Sequence, residues 1–166
     1  FASELDAECL VLHPGWTTAT ESFMRGNSWE LNIRSLHWLM RYAGEYGVNC
    51  LIENVPNPTP YLLVTVDDFQ LFEEEMAPPM NYVFDVAHAH LQDEEFLFIE
   101  EFGHKIEHVH VSDNFGDQDE HLPLGEGNIK WSKVIDALDD AGFDGWLVIE
   151  SYSKMDENIA YLQDLL

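Results

Sequence analysis

Short apolar runs alternate with amphipathic stretches from one end of the chain to the other. The runs at 9–13, 48–53, 82–85, 106–111 and 146–150 are rich in branched and aromatic residues and read as strands. Between them apolar positions recur at three and four, the period of a helix with one buried face. Ser28 is placed to cap a helix whose stripe is Trp29, Ile33, Leu36, Met40 and Ala43, with Gly47 suited to its end. Thr65 with Asp68 three residues on is a capping-box pattern, opening a helix that buries Phe69, Phe72 and Met76. A third helix is expected over 93–103 with Phe96 and Ile99 inward. A fourth, over 131–141, buries Val134, Ile135 and Leu138 and ends at Gly142. Ser153 opens the last, with Ile159, Leu162 and Leu166 as its stripe. The Pro-rich stretch 55–60 reads as a rigid loop, and no internal repeat is present. Strands alternating with helices in this way build a parallel sheet with helices packed outside it.

The strand ends break the apolar pattern. Counting back in twos from each end leaves His13, Glu53, Asp85, His110 and Glu150 as the last residues on one face. In parallel α/β folds ligands bind outside the carboxyl ends of the strands, so these ends define a site. The densest stretch is IEHVHVSDNFGDQDEHLPLGEGN at 106–128. In its strand Val109 and Val111 face one side, and Ile106, His108 and His110 the other. The long loop after it carries Asp113, Asp117, Asp119 and His121, then Gly125 and Gly127, and loops of this length are usually functional or disordered.

Each candidate also has a structural reading. His13 can bond a turn, Asp85 and His88 can cap one, His90 is expected outward, and His108 can be a core histidine. Trp16, Phe115 and Trp131 can line a pocket or simply pack. A carboxylate at the end of a buried strand is costlier to explain away, because it must find a cation, a donor or a metal.

Composition narrows the partners. The 166-residue chain is 46% hydrophobic, enough for one sizeable core, and one domain is the expectation. Its formal charge is −25, from 32 acidic and 7 basic residues. Binding of nucleic acid draws on Lys and Arg neutralising phosphates, so this balance argues against it. Such charge repels itself less in salt, which makes a salty cytoplasm a fitting home. Cys9 and Cys50 lie in strand-like runs and are expected buried and reduced, inside a cell. No run approaches the ~20 apolar residues of a membrane span. The opening Phe1-Ala2-Ser3-Glu4-Leu5 reads as the end of a helix already in progress, so the chain is expected to be part of a longer one.

Glu53, Asp85, His110 and Glu150 would make an oxygen-rich site suited to Mn²⁺, Mg²⁺ or Co²⁺. Adding His13, His88, Asp119 and His121 would favour Zn²⁺ and more than one ion. Two glutamates on separate strands around such an ion suit proton transfer beside a carbonyl, through a metal-stabilised enediolate. That is isomerase or epimerase chemistry.

The motifs LVLHPG at 10–15, LIENV at 51–55, DVAH at 85–88, HVHVSDN at 108–114, DEHLPLGEGNIKW at 119–131 and LVIES at 147–151 resemble the xylose isomerase-like TIM-barrel superfamily. Within it they are most similar to the sugar phosphate isomerase/epimerase group. The resemblance implies an incomplete (β/α)8 barrel spanning about strands three to eight, with a short seventh strand near 122–124 and two strands before Phe1; a full barrel takes about 250 residues. It implies Glu53, Asp85, His110 and Glu150 as metal ligands, with Glu53 and Glu150 as the acid/base pair. His13, His88, Asp119 and His121 become additional metal or substrate residues, and Trp16 and His108 substrate residues. The implied partner is a small sugar or sugar phosphate, and open barrel edges would invite a cover such as a second copy. The superfamily also holds endonuclease-IV-type abasic-site nucleases, whose trinuclear zinc site matches His13, Glu53, Asp85, His88, His110, Asp119, His121 and Glu150. The loop after Asp113 lacks their Asn-Asp-Ser-Lys run. A barrel fragment that binds without catalysing is the remaining reading.

Overall fold

The computed structural model describes residues 1–17, 19, 24, 26–57 and 60–166. Pro58 and Thr59, within the Pro-rich loop of the sequence reading, lie outside the described residues. In chain order the elements are β1 (Cys9–Leu12), α1 (Asn27–Gly44), β2 (Asn49–Glu53), α2 (Val66–Glu75), β3 (Asn81–Asp85), α3 (Val86–His90), α4 (Glu95–Phe102), β4 (Ile106–Val111), α5 (Trp131–Asp140), β5 (Trp146–Ile149) and α6 (Met155–Leu165). The strands pair in parallel in their sequence order, β1-β2-β3-β4-β5, and curl into a half-barrel. The arrangement is that of an incomplete (β/α)8 barrel. No helix among the described residues is long and apolar enough to cross a membrane.

The core lies between the outer face of the sheet and the helices. Ile52, Tyr82, Phe84, Val109 and Val111 point into it from the strands, and Phe69, Phe72, Phe98 and Phe102 meet them from α2 and α4. Phe69 sits edge-on to Tyr82 and Phe98 at 5.2 and 4.9 Å, and Phe84 stacks on Phe98 at 4.8 Å. Burying an aromatic or branched side chain of this size stabilises by about 1.5–3 kcal/mol, so this layer is what holds the strands in place. The capping box of α2 forms as its spacing requires, with Asp68 N–H bonding Thr65 Oγ1 and Thr65 N–H bonding the Asp68 carboxylate. After β2, Val55 is fully buried and its N–H bonds Leu63 O at 3.1 Å, while Leu62 N–H bonds Gly15 O. The loop is thus tied back against the end of β1.

Several local expectations change. Ile106 faces the aromatic core rather than the interior, because it registers with Tyr82 while His108 registers with Val83. The extra residue, Glu107, is a bulge, and it accepts the Asn49 and Asn81 amides. Phe96 is exposed; Phe98, Ile99 and Phe102 are the buried face of α4. In α6 the inward positions are Asn158 and Leu162, with Tyr161 and Leu165 packed beside them, whereas Ile159 and Leu166 are exposed. α1 starts before Ser28, with Gly26 at its N-cap in the left-handed region that suits glycine. The segment near 122–124 is no strand: Leu122 makes one antiparallel bridge to Asp113, and β4 pairs directly with β5. Cys50 is buried, but Cys9 is only half-buried, and both thiols are free.

Candidate metal and proton-transfer site

The sheet delivers its polar residues to one end. Glu53 and Asp85 are the last residues of β2 and β3, His110 is the penultimate residue of β4, and Glu150 follows β5. Parallel register aligns them: Glu53 lies opposite Val83, and Asp85 opposite His110. One ligand atom from each of Glu53, Asp85, His110 and Glu150 lies within 4.8 Å of the others. Glu53, Asp85 and His110 are buried, and the Glu150 side chain is 32% exposed. His110 Nδ1 is 3.0 Å from Glu53 Oε1 and 3.3 Å from Glu150 Oε1, so two carboxylates compete for one ring nitrogen. His13 is 58% exposed, with Nε2 3.0 Å from Glu53 Oε2.

A second group adjoins the first. His88, Asp119 and His121 also offer ligand atoms within 4.8 Å of one another. Asp119 Oδ2 is 3.5 Å from His88 Nε2 and 3.4 Å from His121 Nε2. Each imidazole turns its other nitrogen to a backbone carbonyl, His88 Nδ1 to Asn54 O at 2.8 Å and His121 Nδ1 to Glu150 O at 3.0 Å. With Nδ1–H donated to a carbonyl, Nε2 is the nitrogen that would ligate once its proton is displaced, the usual way a protein presents imidazole to a metal. His88 also lies 3.8 Å from Glu53 and 3.6 Å from Asp85, which joins the two groups. His121 holds a φ of +49°, a strained conformation for a residue with a side chain.

Titration follows from this crowding. Burial alone would raise Glu53, but the His110 and His13 hydrogen bonds outweigh it and hold the carboxyl down at about 2. Asp85 is pushed up to about 6 by burial, which the nearby imidazoles only partly offset. His88, despite burial, is raised to about 9 by the charge of Asp85 and its bond to Asp119. Asp85 Oδ1 accepts the His88 N–H at 2.9 Å, while the buried Oδ2 has no hydrogen-bond partner. An orphaned buried carboxylate oxygen aimed among other oxygens and an imidazole is what a hard divalent cation would satisfy.

The remaining sequence candidates separate. His108 lies apart from both groups, with Nε2 3.6 Å from Cys9 Sγ. Trp16 is 60% exposed and edge-on to Tyr61, which is itself edge-on to His13, so it stands one ring away from the donors. Trp131 is buried and donates Nε1–H to Asp113 at 3.0 Å, while Phe115 is exposed. His90 is not outward: it is 14% exposed and bonds Glu95 and Asn128.

Two residues, Asn54 and Tyr152, escaped the sequence reading, and Asp113 entered it only as one of the loop acids. Buried Asn54 donates to Asp85 O and accepts Asp85 N–H, locking the ends of β2 and β3 together. Asp113 is fully buried and organises the loop bearing Asp119 and His121. Tyr152 stacks on His121 at 4.5 Å. A polar residue directly after an apolar strand was the available signal for Asn54 and Asp113; Tyr152 left none.

Comparison with known proteins agrees with this architecture. A family model described as xylose isomerase-like TIM barrel matches residues 1–165. An uncharacterized protein of Methanocaldococcus jannaschii is 33% identical over 159 residues, covering 93% of this chain and 54% of that protein. Fructoselysine 3-epimerase of Escherichia coli O157:H7 is 24% identical over 127 residues, covering 74% of this chain and 45% of the enzyme. The crystal structure of a D-tagatose 3-epimerase-like protein superposes with a TM-score of 0.90 at 30% identity, covering 99% of this chain and 64% of that one. The chain therefore spans about half the length of the sequence relatives it matches.

Proposed function

Because the chain belongs to the xylose isomerase-like TIM-barrel family, we propose that it serves a metal-dependent sugar isomerase or epimerase, moving a proton at the carbon beside a carbonyl. The observation that carries this reading is the meeting of Glu53, Asp85, His110 and Glu150 within 4.8 Å at the carboxyl ends of the strands. Three carboxylates and one imidazole fit a hard divalent ion such as Mn²⁺, Mg²⁺ or Co²⁺, and the orphaned Asp85 Oδ2 fits it too. When bound, such an ion supplies a Lewis acid that polarises a sugar carbonyl and its neighbouring hydroxyl.

The chain's own residues do the rest. Glu53 is held ionised by His13 and His110, so it accepts a proton without first having to lose one. Glu150 is reached from solvent, and only His110 separates it from Glu53. One glutamate takes the proton from carbon and the other returns it. Return on the opposite face inverts that carbon, whereas return to the neighbouring carbon moves the carbonyl. Asn54 keeps the Asp85 backbone in register, and His13 keeps Glu53 turned inward.

A second reading, an endonuclease-IV-like zinc nuclease, is favoured by the adjoining group of His88, Asp119 and His121. The formal charge of −25 opposes the grip on phosphates that it requires. Metal analysis of the full chain with exchange in D₂O decides. One ion per chain, with deuterium entering a ketose beside its carbonyl, is the expected result. Several zinc ions with cleavage of abasic-site DNA would replace it by the nuclease. No bound metal and no exchange would leave a non-catalytic barrel fragment.

A further inference from the structure

We infer that Asn54, which lends no atom to either donor group, is the positioning residue that presents Asp85 to a bound ion. This deepens the metal-dependent reading above and rests on its first group holding a divalent cation. The β2–β3 ladder ends where Glu53 lies opposite Val83, so the main chain of Asp85 extends beyond the last paired residue of β2. Asn54 continues the ladder with its side chain. Its Nδ2–H donates to Asp85 O at 2.8 Å, and its Oδ1 accepts the Asp85 N–H at 2.7 Å. A side-chain amide suits this place because it sets a donor and an acceptor side by side, whereas a carboxylate has no proton to give and a short hydroxyl does not span both groups.

His88 closes the pair into a circuit. Asp85 Oδ1 accepts the His88 backbone N–H at 2.9 Å, and His88 Nδ1–H donates to Asn54 O at 2.8 Å. Asn54, Asp85 and His88 are 1%, 0% and 5% exposed, so water competes little for these bonds. With its backbone and Oδ1 both engaged, Asp85 is fixed in one orientation before any ion arrives. Among the described residues its Oδ2 has no hydrogen-bond partner, which makes it the oxygen left for the ion. A carboxylate free to rotate would lose that freedom on binding, and one held in advance does not.

Asn158 is the matching case away from the donor groups. It is fully buried, accepts Leu124 N–H at 2.7 Å and donates to Ser153 O at 2.9 Å, so its amide also bridges two main-chain groups. Its bonds fasten a loop to the start of α6 rather than hold a donor residue.

The test is calorimetric titration of the full chain with Mn²⁺, comparing the parent with Asn54→Ser and Asn158→Ser. Asn54→Ser is expected to weaken Mn²⁺ binding about 10–100-fold, the usual effect of removing a partner that orients a ligand. Asn158→Ser removes the same kind of bonds and should change the affinity by less than about threefold, because it orients no ligand. Equal affinity in the parent and Asn54→Ser overturns the inference and leaves the metal reading standing, and an equal loss in both variants overturns it as general softening. A parent that binds no Mn²⁺ removes the metal reading and this inference with it. The parent alone supplies a second measurement, which decides the matter where Asn54→Ser does not fold. If opening the Asn54 clamp releases the ion, Mg²⁺ at about 100 times its Kd should slow hydrogen exchange of the Asp85 amide by roughly 100-fold. An Asp85 exchange rate that does not respond to Mg²⁺ overturns the inference.

Discussion

Replacing Asp113 by Asn tests whether the loop bearing Asp119 and His121 is held by one buried carboxylate. Oδ1 accepts the Asn114 and Ile129 N–H groups at 3.0 and 3.3 Å, and Oδ2 accepts Gly125 N–H at 2.8 Å and Trp131 Nε1–H at 3.0 Å. Its backbone closes the loop as well, exchanging both hydrogen bonds with Leu122 at 2.9 Å. An asparagine keeps one acceptor oxygen and puts an NH₂ in place of the other. In one orientation the buried Asn114 and Ile129 N–H groups lose their acceptor and face a donor, in the other the buried Trp131 Nε1–H and the part-buried Gly125 N–H do. Each stranded group costs about 1–3 kcal/mol, so the expected loss is about 4 kcal/mol. For a domain of this size that is a fall in Tm of roughly 8–16 °C. Thermal and urea unfolding would measure it, with exposed Asp117→Asn as a control expected within about 0.5 kcal/mol of the parent. A Tm for Asp113→Asn within about 2 °C of the parent would refute the reasoning.

Glu150→Gln should cut exchange in D₂O by roughly a thousandfold while the melting curve stays put, because the side chain is part-exposed and bears no core packing; full activity in that variant would remove its proton-transfer role. Glu73 is partly desolvated, which raises its carboxyl, but Lys105 and Tyr82 outweigh this and lower it below 4.5. A lowered carboxyl stabilises above its unfolded value and loses that contribution as pH falls through the folded one. The stability advantage of the parent over Glu73→Gln should therefore be full near neutrality and fade below about pH 4.5, and urea titrations that show a constant difference would contradict it. With a formal charge of −25, raising NaCl from about 0.1 M to about 1 M should raise Tm, as the Debye length drops from about 10 Å to about 3 Å; a flat or falling Tm would mean that self-repulsion is not limiting.

The alternation of strands and helices was legible because each apolar run is bounded by turn or cap residues whose local chemistry leaves little choice. The Thr65 and Asp68 capping box is one case: its bonds lie within four residues, so spacing alone specifies them. What spacing could not specify was which face of α6 turns inward. That choice rests on Asn158, a polar residue drawn into the core because its amide serves Leu124 N–H and Ser153 O. Hydrophobicity points to Ile159 instead. The short helix α3 was invisible for a related reason, since Asp85 caps it by a contact that also belongs to the site.

The strand-end residues could be read together because burial forbids a lone carboxylate, so acids closing apolar strands in succession must share a purpose. Period-two counting carried this through Glu53, Asp85, His110 and Glu150, which the register then gathers. It failed one turn deeper. The bulge at Glu107 moves Ile106 to the other face and leaves His108 beside Cys9, and a bulge has no signature in a strand this short. In the loop, the same residue types serve opposite ends. Asp113 spends its carboxylate on backbone and indole N–H groups, whereas among the described residues Asp119 meets the His88 and His121 imidazoles. Nothing in composition separates the two, because the difference lies in where each backbone places its side chain. The first donor group stands on β2, β3, β4 and the residue after β5, while the second adds to His88 two residues whose positions depend on Asp113. The loop, rather than the sheet, therefore sets whether the second group can hold an ion, which is why Asp113→Asn should loosen metal bound by His88, Asp119 and His121 before it disturbs Glu53, Asp85, His110 and Glu150.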